Sequence, residues 1–257
     1  MHNSGILLLA RDGPSTRIIH NALRAEFGAL NVILEDRQSR ARLAWRRTRR
    51  LGALTVMGQI ALILLLRPLL SWNDRKRVRE IKQQFNLNDS PIDEPVFRVP
   101  SVNSDAARVA IAQFQPALIV VSGTRILDRE TLRDIRCPII NIHCGITPLY
   151  RGVHGGYWAL AEGHPELVGT TIHYIDAGID TGPIIDQSTF QVSSADSLAT
   201  YPYLHTAAGL LPLVKAVRDA LAGHPPPSQH ASELPSRLRF HPTLWGYLRR
   251  RVQHGTR

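Results

Sequence analysis

A short, wholly apolar run near the N-terminus limits the folds open to this chain more than any other feature. Residues 6–10 carry no polar side chain and end at Arg11-Asp12, so the run is too short and too abruptly charged for a signal peptide. Such runs are typical of parallel strands buried on both faces. A turn over residues 13–16 and helical spacing over residues 17–27 follow. This order predicts a Rossmann-like opening whose turn could bind a phosphate. The absence of a full G-x-G-x-x-G disfavours NAD.

The same alternation of apolar runs and helical spacing continues along the chain. Further strands are predicted at residues 32–34, 96–99, 116–121, 138–140, 170–175 and 184–192, and helices at residues 105–113, 129–135 and 196–222, the last bent near Pro202 and Pro212. The fold class predicted is α/β, a Rossmann-like, open, mostly parallel sheet with helices on both faces. We expect one catalytic domain over residues 1–222, a helical insertion at about 37–82, and a Pro-rich basic tail over 223–257 that contains Pro225, Pro226 and Pro227.

Polar side chains cluster where two predicted strands end. The run that ends at Ile140 is followed by Asn141 and His143, which alternation places on one face. Residues 170–175 lead into a loop that carries Asp180. If the two strand ends are neighbours, an amide, an imidazole and a carboxylate converge on one pocket. A structural histidine and a turn aspartate that bonds its own backbone are the alternatives.

The motifs around these residues, in order, are N-x-H, P-x-Y-R-G, G-T-x-H and G-I-D-T-G-P. This string resembles the folate-dependent formyltransferases, which include the glycinamide ribonucleotide, methionyl-tRNA and amino-sugar N-formyltransferases. The resemblance covers residues 116–190 well, is weak before residue 113 and is absent from residues 37–82. It implies the formyltransferase fold, N10-formyltetrahydrofolate as co-substrate without a metal, and catalytic roles for Asn141, His143 and Asp180.

Physical reasoning assigns the same roles. Formyl transfer to an amine passes through a tetrahedral species with a negatively charged oxygen, which the Asn141 amide and His143 can stabilise. Asp180 can orient His143 or relay the proton of the amine through a water. Because the substrate amine is the nucleophile, Cys144 is interpreted as a packing residue. The segment His-Cys-Gly-Ile-Thr-Pro departs from the commoner His-Pro-Ser-Leu-Leu-Pro, which leaves the acceptor side of the pocket open.

Two loops are predicted to bind the substrates. The resemblance implies that a Gly-x-x-Arg-Ile-Leu loop lines the pterin pocket, largely through backbone groups, together with the loop that carries Asp180. The predicted folate-binding residues are Gly123, Arg125, Ile126, Leu127, Asp176 and Gly178. An ordinary strand-to-helix turn capped by Asp128 is the alternative. Tyr150, Arg151 and Gly152 are predicted to face the acceptor, with a solvated arginine as the alternative for Arg151.

The predicted insertion combines a basic block with an apolar run over residues 51–66, which Arg67-Pro68 interrupts. A membrane span would need about 20 apolar residues, and this run is shorter and contains Gln59. An interfacial helix on anionic lipid, with Trp45 and Trp72 at its ends, would give peripheral membrane association through residues 39–72. A helical insertion packed on the domain or on a second subunit in a homodimer is slightly favoured.

The charge of the chain calls for an anionic partner, with a formal net charge of +10 and a pI near 10.4. Nucleic acid is disfavoured, because no alternating strands of a tRNA-binding barrel follow residue 222 and the basic residues do not interleave with aromatic ones. Cys137 and Cys144 have neither metal spacing nor a disulfide pattern, which favours a cytoplasmic location.

The hypothesis is therefore an N-formyltransferase that acts on a primary amine of a small anionic acceptor, with a nucleotide-linked amino sugar as the best candidate. The alternatives are an activity like that of methionyl-tRNA formyltransferase, hydrolysis of formyltetrahydrofolate on the same residues, and a membrane-associated scaffold whose site is idle.

Overall fold

Seven of the strands form a single mixed sheet in this computed structural model, which describes residues 5–224 and 235–255. The strands are β1 (Ile6–Ala10), β2 (Asn31–Glu35), β3 (Val96–Val99), β4 (Leu118–Ser122), β5 (Ile139–His143), β6 (Arg151–Gly152), β7 (Gly169–Tyr174), β8 (Ile184–Thr189) and β9 (Leu238–Arg239). The sheet order is β3-β2-β1-β4-β5-β7-β8. The pairs from β3 to β5 are parallel and the two pairs that involve β7 are antiparallel, which confirms the predicted open, mostly parallel sheet.

Helices cover both faces of the sheet. They are α1 (Pro14–Phe27), α2 (Arg40–Leu51), α3 (Ala53–Ala61), α4 (Arg67–Asn73), α5 (Arg75–Gln84), α6 (Asp105–Phe114), α7 (Arg129–Asp134), α8 (Gly155–Ala161), α9 (Tyr201–Leu221) and α10 (Leu244–His254). α9 begins at Tyr201, so the predicted start at residue 196 was wrong. Pro202 lies in its first turn, where a missing N–H leaves no helical bond unmade.

Alternation along β1 divides the core into two layers. Ile6 and Leu8 pack with side chains of α1 and α9, and Leu7 and Leu9 pack with side chains of α6. All five residues of β1 are buried, as are all five of β4, which explains why these strands contain no exposed polar position.

The insertion is helical, as predicted, and its apolar part is longer than predicted. A π-helical turn, Leu62–Leu66, joins α3 to α4, so one continuous helix of 21 residues runs over Ala53–Asn73. Arg67-Pro68 interrupts the apolar run of the sequence but not the helix, because a π-helical turn directly precedes Pro68, a residue that has no N–H to donate. Among the described residues this helix is the one long and apolar enough, by length and composition, to cross a membrane, and 28% of its most apolar window is buried in the protein.

The described part of the C-terminal segment folds back onto the domain. β9 pairs in parallel with β6, and Tyr247 of α10 is fully buried beside Tyr157. Gly58 of α3 lies against Trp245, so closely that a Cβ there would sit 2.4 Å from the indole ring. Pro225, Pro226 and Pro227 lie outside the described residues, and the domain boundary at residue 222 stays a prediction.

Candidate active site

The pairing of β5 with β7 sets the positions of the predicted catalytic residues. The strands are antiparallel, with Asn141 opposite His173 and His143 opposite Thr171. The expectation that two strand ends meet at one edge is therefore wrong, because the end of β7 lies beside the start of β5. The loop over residues 176–183 instead folds back over the sheet and brings Asp180, in the left-handed conformation at φ 51°, to His143.

The His143 ring is held from one side by backbone. Its Nε2 lies 2.8 Å from the carbonyl oxygen of Tyr150, and because a carbonyl only accepts, Nε2 carries a proton. Its Nδ1 lies 3.4 Å from Oδ1 of Asp180. Gly145 makes this arrangement possible, since a Cβ there would lie 2.4 Å from the Tyr150 oxygen and 2.8 Å from Nε2. Nδ1 is therefore the ring nitrogen that faces Asp180 and carries no proton in the neutral ring.

The Asp180 carboxylate is fixed by the loop that follows β5. Its Oδ2 accepts a hydrogen bond of 2.9 Å from the backbone N–H of Gly152, and its Oδ1 lies 3.8 Å from His173 Nε2. Arg151 Nη1 donates to the Ile179 carbonyl at 3.0 Å, which ties the two loops together. The predicted convergence of amide, imidazole and carboxylate is thus present in the structure.

His173 is the site residue to which the sequence analysis gave no role. Its Nδ1 donates to the Tyr174 carbonyl at 2.8 Å, so its Nε2 accepts from the Asn141 side-chain amide at 2.9 Å. Burial lowers the pKa of His173, which agrees with a neutral ring. The G-T-x-H motif already contained this histidine, but only the strand register shows that it orients Asn141 and leaves that amide a second N–H.

Thr171 fixes the turn that follows β5. Its hydroxyl donates to the Gly145 carbonyl at 2.7 Å and accepts from the Thr147 N–H at 3.1 Å. Gln187 of β8 donates to the Thr147 carbonyl at 2.8 Å. The turn that shapes the His143 environment is therefore bonded to both following strands.

The three residues predicted to face the acceptor lie in different environments. Tyr150 is buried, which raises the pKa of its hydroxyl to about 12, and its carbonyl rather than its ring serves the site. Arg151 and Gly152 contact the Asp180 loop, as described above. Gly152 has φ 94°, and a Cβ there would lie 2.3 Å from the Arg239 carbonyl of β9.

Burial, with the nearby Asp180 carboxylate, raises the pKa of the Cys144 thiol to about 12, which supports a packing role.

The predicted folate loop begins one strand away from the site, because Val121 pairs with Asn141. Gly123 is in the left-handed region at φ 66°, Ile126 is half exposed, and Leu127 is buried in the core. Arg125 turns away toward other backbone. Its guanidinium donates to the carbonyls of Pro100 and Asp36 at 2.6 and 2.9 Å and lies 3.3 Å from the Glu35 carboxylate. Its side chain therefore holds the loop in place.

The remaining predicted folate residues shape their own loop. Asp176 Oδ1 accepts from the Gly178 N–H at 2.9 Å and from the Thr181 hydroxyl at 2.8 Å. The turn after the folate loop is capped by Asp128, which accepts from the Thr131 N–H at 2.9 Å, as the alternative interpretation of that segment expects.

Over residues 5–224 and 235–255, no group of three or more His, Cys, Asp or Glu side chains has a metal-binding arrangement.

An open, mostly parallel sheet that brings an amide, an imidazole and a carboxylate together beside the β5–β7 strand pair defines an α/β protein with a polar candidate active site. The chain belongs to the formyl transferase family, whose model matches residues 66–208. The resemblance noted in the sequence is thereby confirmed.

Among curated relatives, a methionyl-tRNA formyltransferase of Anaeromyxobacter sp. (strain K) is 33% identical over 130 residues, or 50% of this chain and 41% of the relative. A phosphoribosylglycinamide formyltransferase of Mycobacterium tuberculosis (strain CDC 1551 / Oshkosh) is 38% identical over 114 residues, or 41% of this chain and 53% of the relative. The chain thus spans about half or less of the relatives it matches.

Solved structures share the fold at low sequence identity. A sugar N-formyltransferase from Shewanella sp FDAARGOS_354 superposes with a TM-score of 0.56 at 15% identity, covering 93% of this chain and 76% of that one. Glycinamide ribonucleotide transformylase 1 from Symbiobacterium toebii gives 0.55 at 16% identity, covering 88% and 94%.

Proposed function

We propose that this chain transfers a formyl group from N10-formyltetrahydrofolate to a primary amine on a small anionic acceptor, with a nucleotide-linked amino sugar as the best candidate. The observation that carries the proposal is the arrangement of Asn141, His143 and Asp180, in which each polar group has a defined partner and a free position. Asn141 keeps one N–H, and the Nδ1 edge of His143 stays available.

The site residues stabilise the negative charge that develops on an oxygen, and they accept one proton from the amine. When bound, N10-formyltetrahydrofolate supplies the formyl carbon. The free N–H of Asn141 donates to an oxygen that becomes negative, and such a donor is typically worth about 3–4 kcal/mol. His143 gives its Nε2 proton to the Tyr150 carbonyl, so it adds a second donor at Nδ1 when the ring carries a second proton. Asp180 holds the His143 ring and accepts the proton lost by the amine, directly or through a water.

The two predicted folate loops have the chemistry that a flat heteroaromatic ring needs. Ile126 presents an apolar side chain with 53% of its surface exposed, beside Gly123, where no atom lies within 4 Å of a Cβ position. Asp176 is exposed on the second predicted folate loop and keeps acceptor capacity beyond its internal bonds. An apolar wall with a few fixed polar groups is typical of ligand pockets. We propose that Gly123, Ile126, Asp176 and Gly178 hold the co-substrate, while Arg125 and Leu127 support their loop.

The charge distribution favours a small acceptor over nucleic acid. Residues 37–82 contain thirteen Lys and Arg and two acidic residues, so their formal net charge of 13 − 2 = +11 exceeds the +10 of the whole chain. The remainder, which includes the site, is therefore close to neutral. A nucleic-acid surface needs a basic field around the site. The matched relatives include enzymes named for methionyl-tRNA and a nucleotide, and a fold neighbour from Helicobacter canadensis is a complex with folinic acid and dTDP-3-aminofucose.

The test measures loss of the formyl group from N10-formyltetrahydrofolate with each of four additions: nucleotide-linked amino sugars, phosphorylated amines, methionyl-tRNA, or no amine. Turnover that requires a nucleotide-linked amino sugar is the expected result. Turnover with methionyl-tRNA alone contradicts the proposed acceptor, and equal turnover without any amine indicates hydrolysis. No turnover under any condition, with a correctly folded protein, contradicts the enzyme proposal itself.

A further inference from the structure

One side of the helix over Ala53–Asn73 is apolar and faces outward. From Ala53 to Leu65 every exposed residue is apolar. The larger side chains of this surface, which continues into α4, are between 41% and 69% exposed, and we call them the apolar face: Leu54, Met57, Ile60, Leu64, Leu65, Leu69 and Trp72. Contiguous exposed apolar surface of this kind marks an interaction site.

The opposite side of the same helix is fixed to the protein. Val56, Leu62 and Leu70 are buried, and Gly58 lies against Trp245. Gln59, whose presence argued against a membrane span in the sequence, points inward and donates to the His241 carbonyl at 2.8 Å. The polar residue is thus removed from the apolar face.

The C-terminal end of the helix is anchored as well. Asp74, which follows it, accepts a hydrogen bond from Ser197, and Arg77 pairs with the buried Asp196 at 2.8 Å. A helix bonded along one side and at its end would have to break these contacts in order to span a bilayer.

Exposed basic residues lie on the two helices that flank the apolar helix in the sequence. Arg46, Arg49 and Arg50 are exposed on α2, which precedes it, and Arg75, Lys76 and Arg79 on α5, which follows it. Trp45 on α2 and Trp72 in the last turn of the apolar helix are each 62% exposed. An apolar stripe with tryptophans and basic residues at its ends is the composition of helices that lie in the interface of a membrane.

We propose that the apolar face binds the surface of an anionic lipid bilayer, with the helix parallel to the membrane plane and the rest of the domain in water. The net charge of residues 37–82 selects this occupant over a second copy of the chain. Two such segments face to face would repel each other, whereas an anionic headgroup layer attracts each basic residue.

The experiment measures sedimentation of the full-length chain with vesicles of phosphatidylcholine alone or of phosphatidylcholine with phosphatidylglycerol. Leu64→Glu/Leu65→Glu changes the apolar face, and Leu211→Glu is the matched control, because Leu211 is 82% exposed on α9, outside that face. We expect binding only to the anionic vesicles, weakened about tenfold or more by the double change and unchanged by the control. High salt should weaken it too, because screening removes the charge attraction.

Several outcomes would overturn the proposal. Failure of the unmodified chain to bind anionic vesicles, or wild-type binding by Leu64→Glu/Leu65→Glu, removes the lipid partner. Concentration-dependent self-association without lipid that the double change abolishes would show that a second copy covers the face. Bound protein that resists extraction with alkaline carbonate would indicate a spanning helix and contradict the parallel arrangement.

Discussion

The β5–β7 strand pair and the inserted helix over Ala53–Asn73 depart from the usual distribution of residues in opposite ways. The strand pair buries polar groups, namely His143, Thr171 and His173, whereas the helix exposes leucines. In the strand pair the polar groups described above are hydrogen-bonded, mostly to backbone, so their side chains have little conformational freedom. On the helix the exposed side chains have no comparable partners in the described part of the chain.

This contrast indicates where function resides in each region. Buried polar groups are costly unless they are paired, so their free positions, on Asn141 and His143, point to a bound substrate. Exposed apolar groups are costly in water, so their continuity along one helix points to a surface that covers them. The two regions meet at His241. Its carbonyl accepts a hydrogen bond from the Gln59 side chain of the inserted helix, and its Nδ1 lies 2.9 Å from Nε2 of His154, which follows the loop that contains Arg151 and Gly152.

The largest difference between the regions should appear in activity. His143→Ala removes the ring that Asp180 and the Tyr150 carbonyl hold, and we expect a loss of turnover of about 10³-fold or more with folate binding retained. Leu64→Glu/Leu65→Glu should leave turnover on a soluble acceptor unchanged. Steady-state kinetics with a folate-binding titration make the comparison. Similar losses in both variants would contradict the division between the regions.

Much of this division was accessible from the sequence, because it depends on local patterns. The apolar runs identified β1, β4 and β5, and alternation placed Asn141 and His143 on one face. The basic and apolar composition of residues 37–82 identified a helical insertion. In each case the side-chain period, of two or of 3.6 residues, was sufficient.

What the sequence did not show depends on register and on close backbone approach. An antiparallel pairing of β5 with β7 cannot be distinguished from a parallel one by composition, so both the path of the Asp180 loop and the role of His173 were missed. Tyr150 was assigned to the acceptor because of its motif, yet its carbonyl is the functional group. The continuity of the helix through Pro68 depends on a π-helical turn that no pattern signals.

The second expected effect tests the backbone support of His143. Gly145→Ala places a Cβ 2.4 Å from the Tyr150 oxygen and 2.8 Å from His143 Nε2, so the ring must move. A displacement of about 1 Å can lower turnover roughly 10²-fold. Leu211→Ala is the control, because Leu211 is 82% exposed on α9 and has no role in the site. Equal turnover in the two variants would show that this contact does not position His143.

The third effect concerns stability and the attachment of the insertion. Arg77→Met leaves the buried Asp196 carboxylate without its guanidinium, and we expect a loss of about 2–4 kcal/mol in the free energy of unfolding. Lys215→Met breaks an exposed pair with Asp219 and should change the free energy of unfolding very little, because solvent screens exposed ion pairs. Urea titrations measure both. A loss for Arg77→Met as small as that of the control would mean that the insertion is held mainly by its apolar contacts.

The remaining effect is the dependence of stability on pH below neutrality, and it depends on three buried histidines. Burial lowers the pKa of His205 and His241 to about 3 and that of His154 to about 4. Unfolding lets each ring take up a proton below its ordinary pKa of about 6.5, whereas the folded protein keeps the rings neutral down to pH values near 4. Stability should therefore be constant above about pH 7 and fall as the pH decreases from 6.5 to 4.5.

His154→Asn identifies the share of this pH dependence that belongs to the junction between the regions. His154 has φ 60°, a conformation that asparagine tolerates, and its partner is His241 of the C-terminal segment. The variant removes one titrating ring, so its melting temperature should fall less steeply between pH 6.5 and 4.5 than that of the unmodified chain. Scanning fluorimetry across that range measures both slopes. An identical slope would indicate that His154 is protonated in the folded protein, and the neutral contact between site loop and C-terminal segment would then have to be revised.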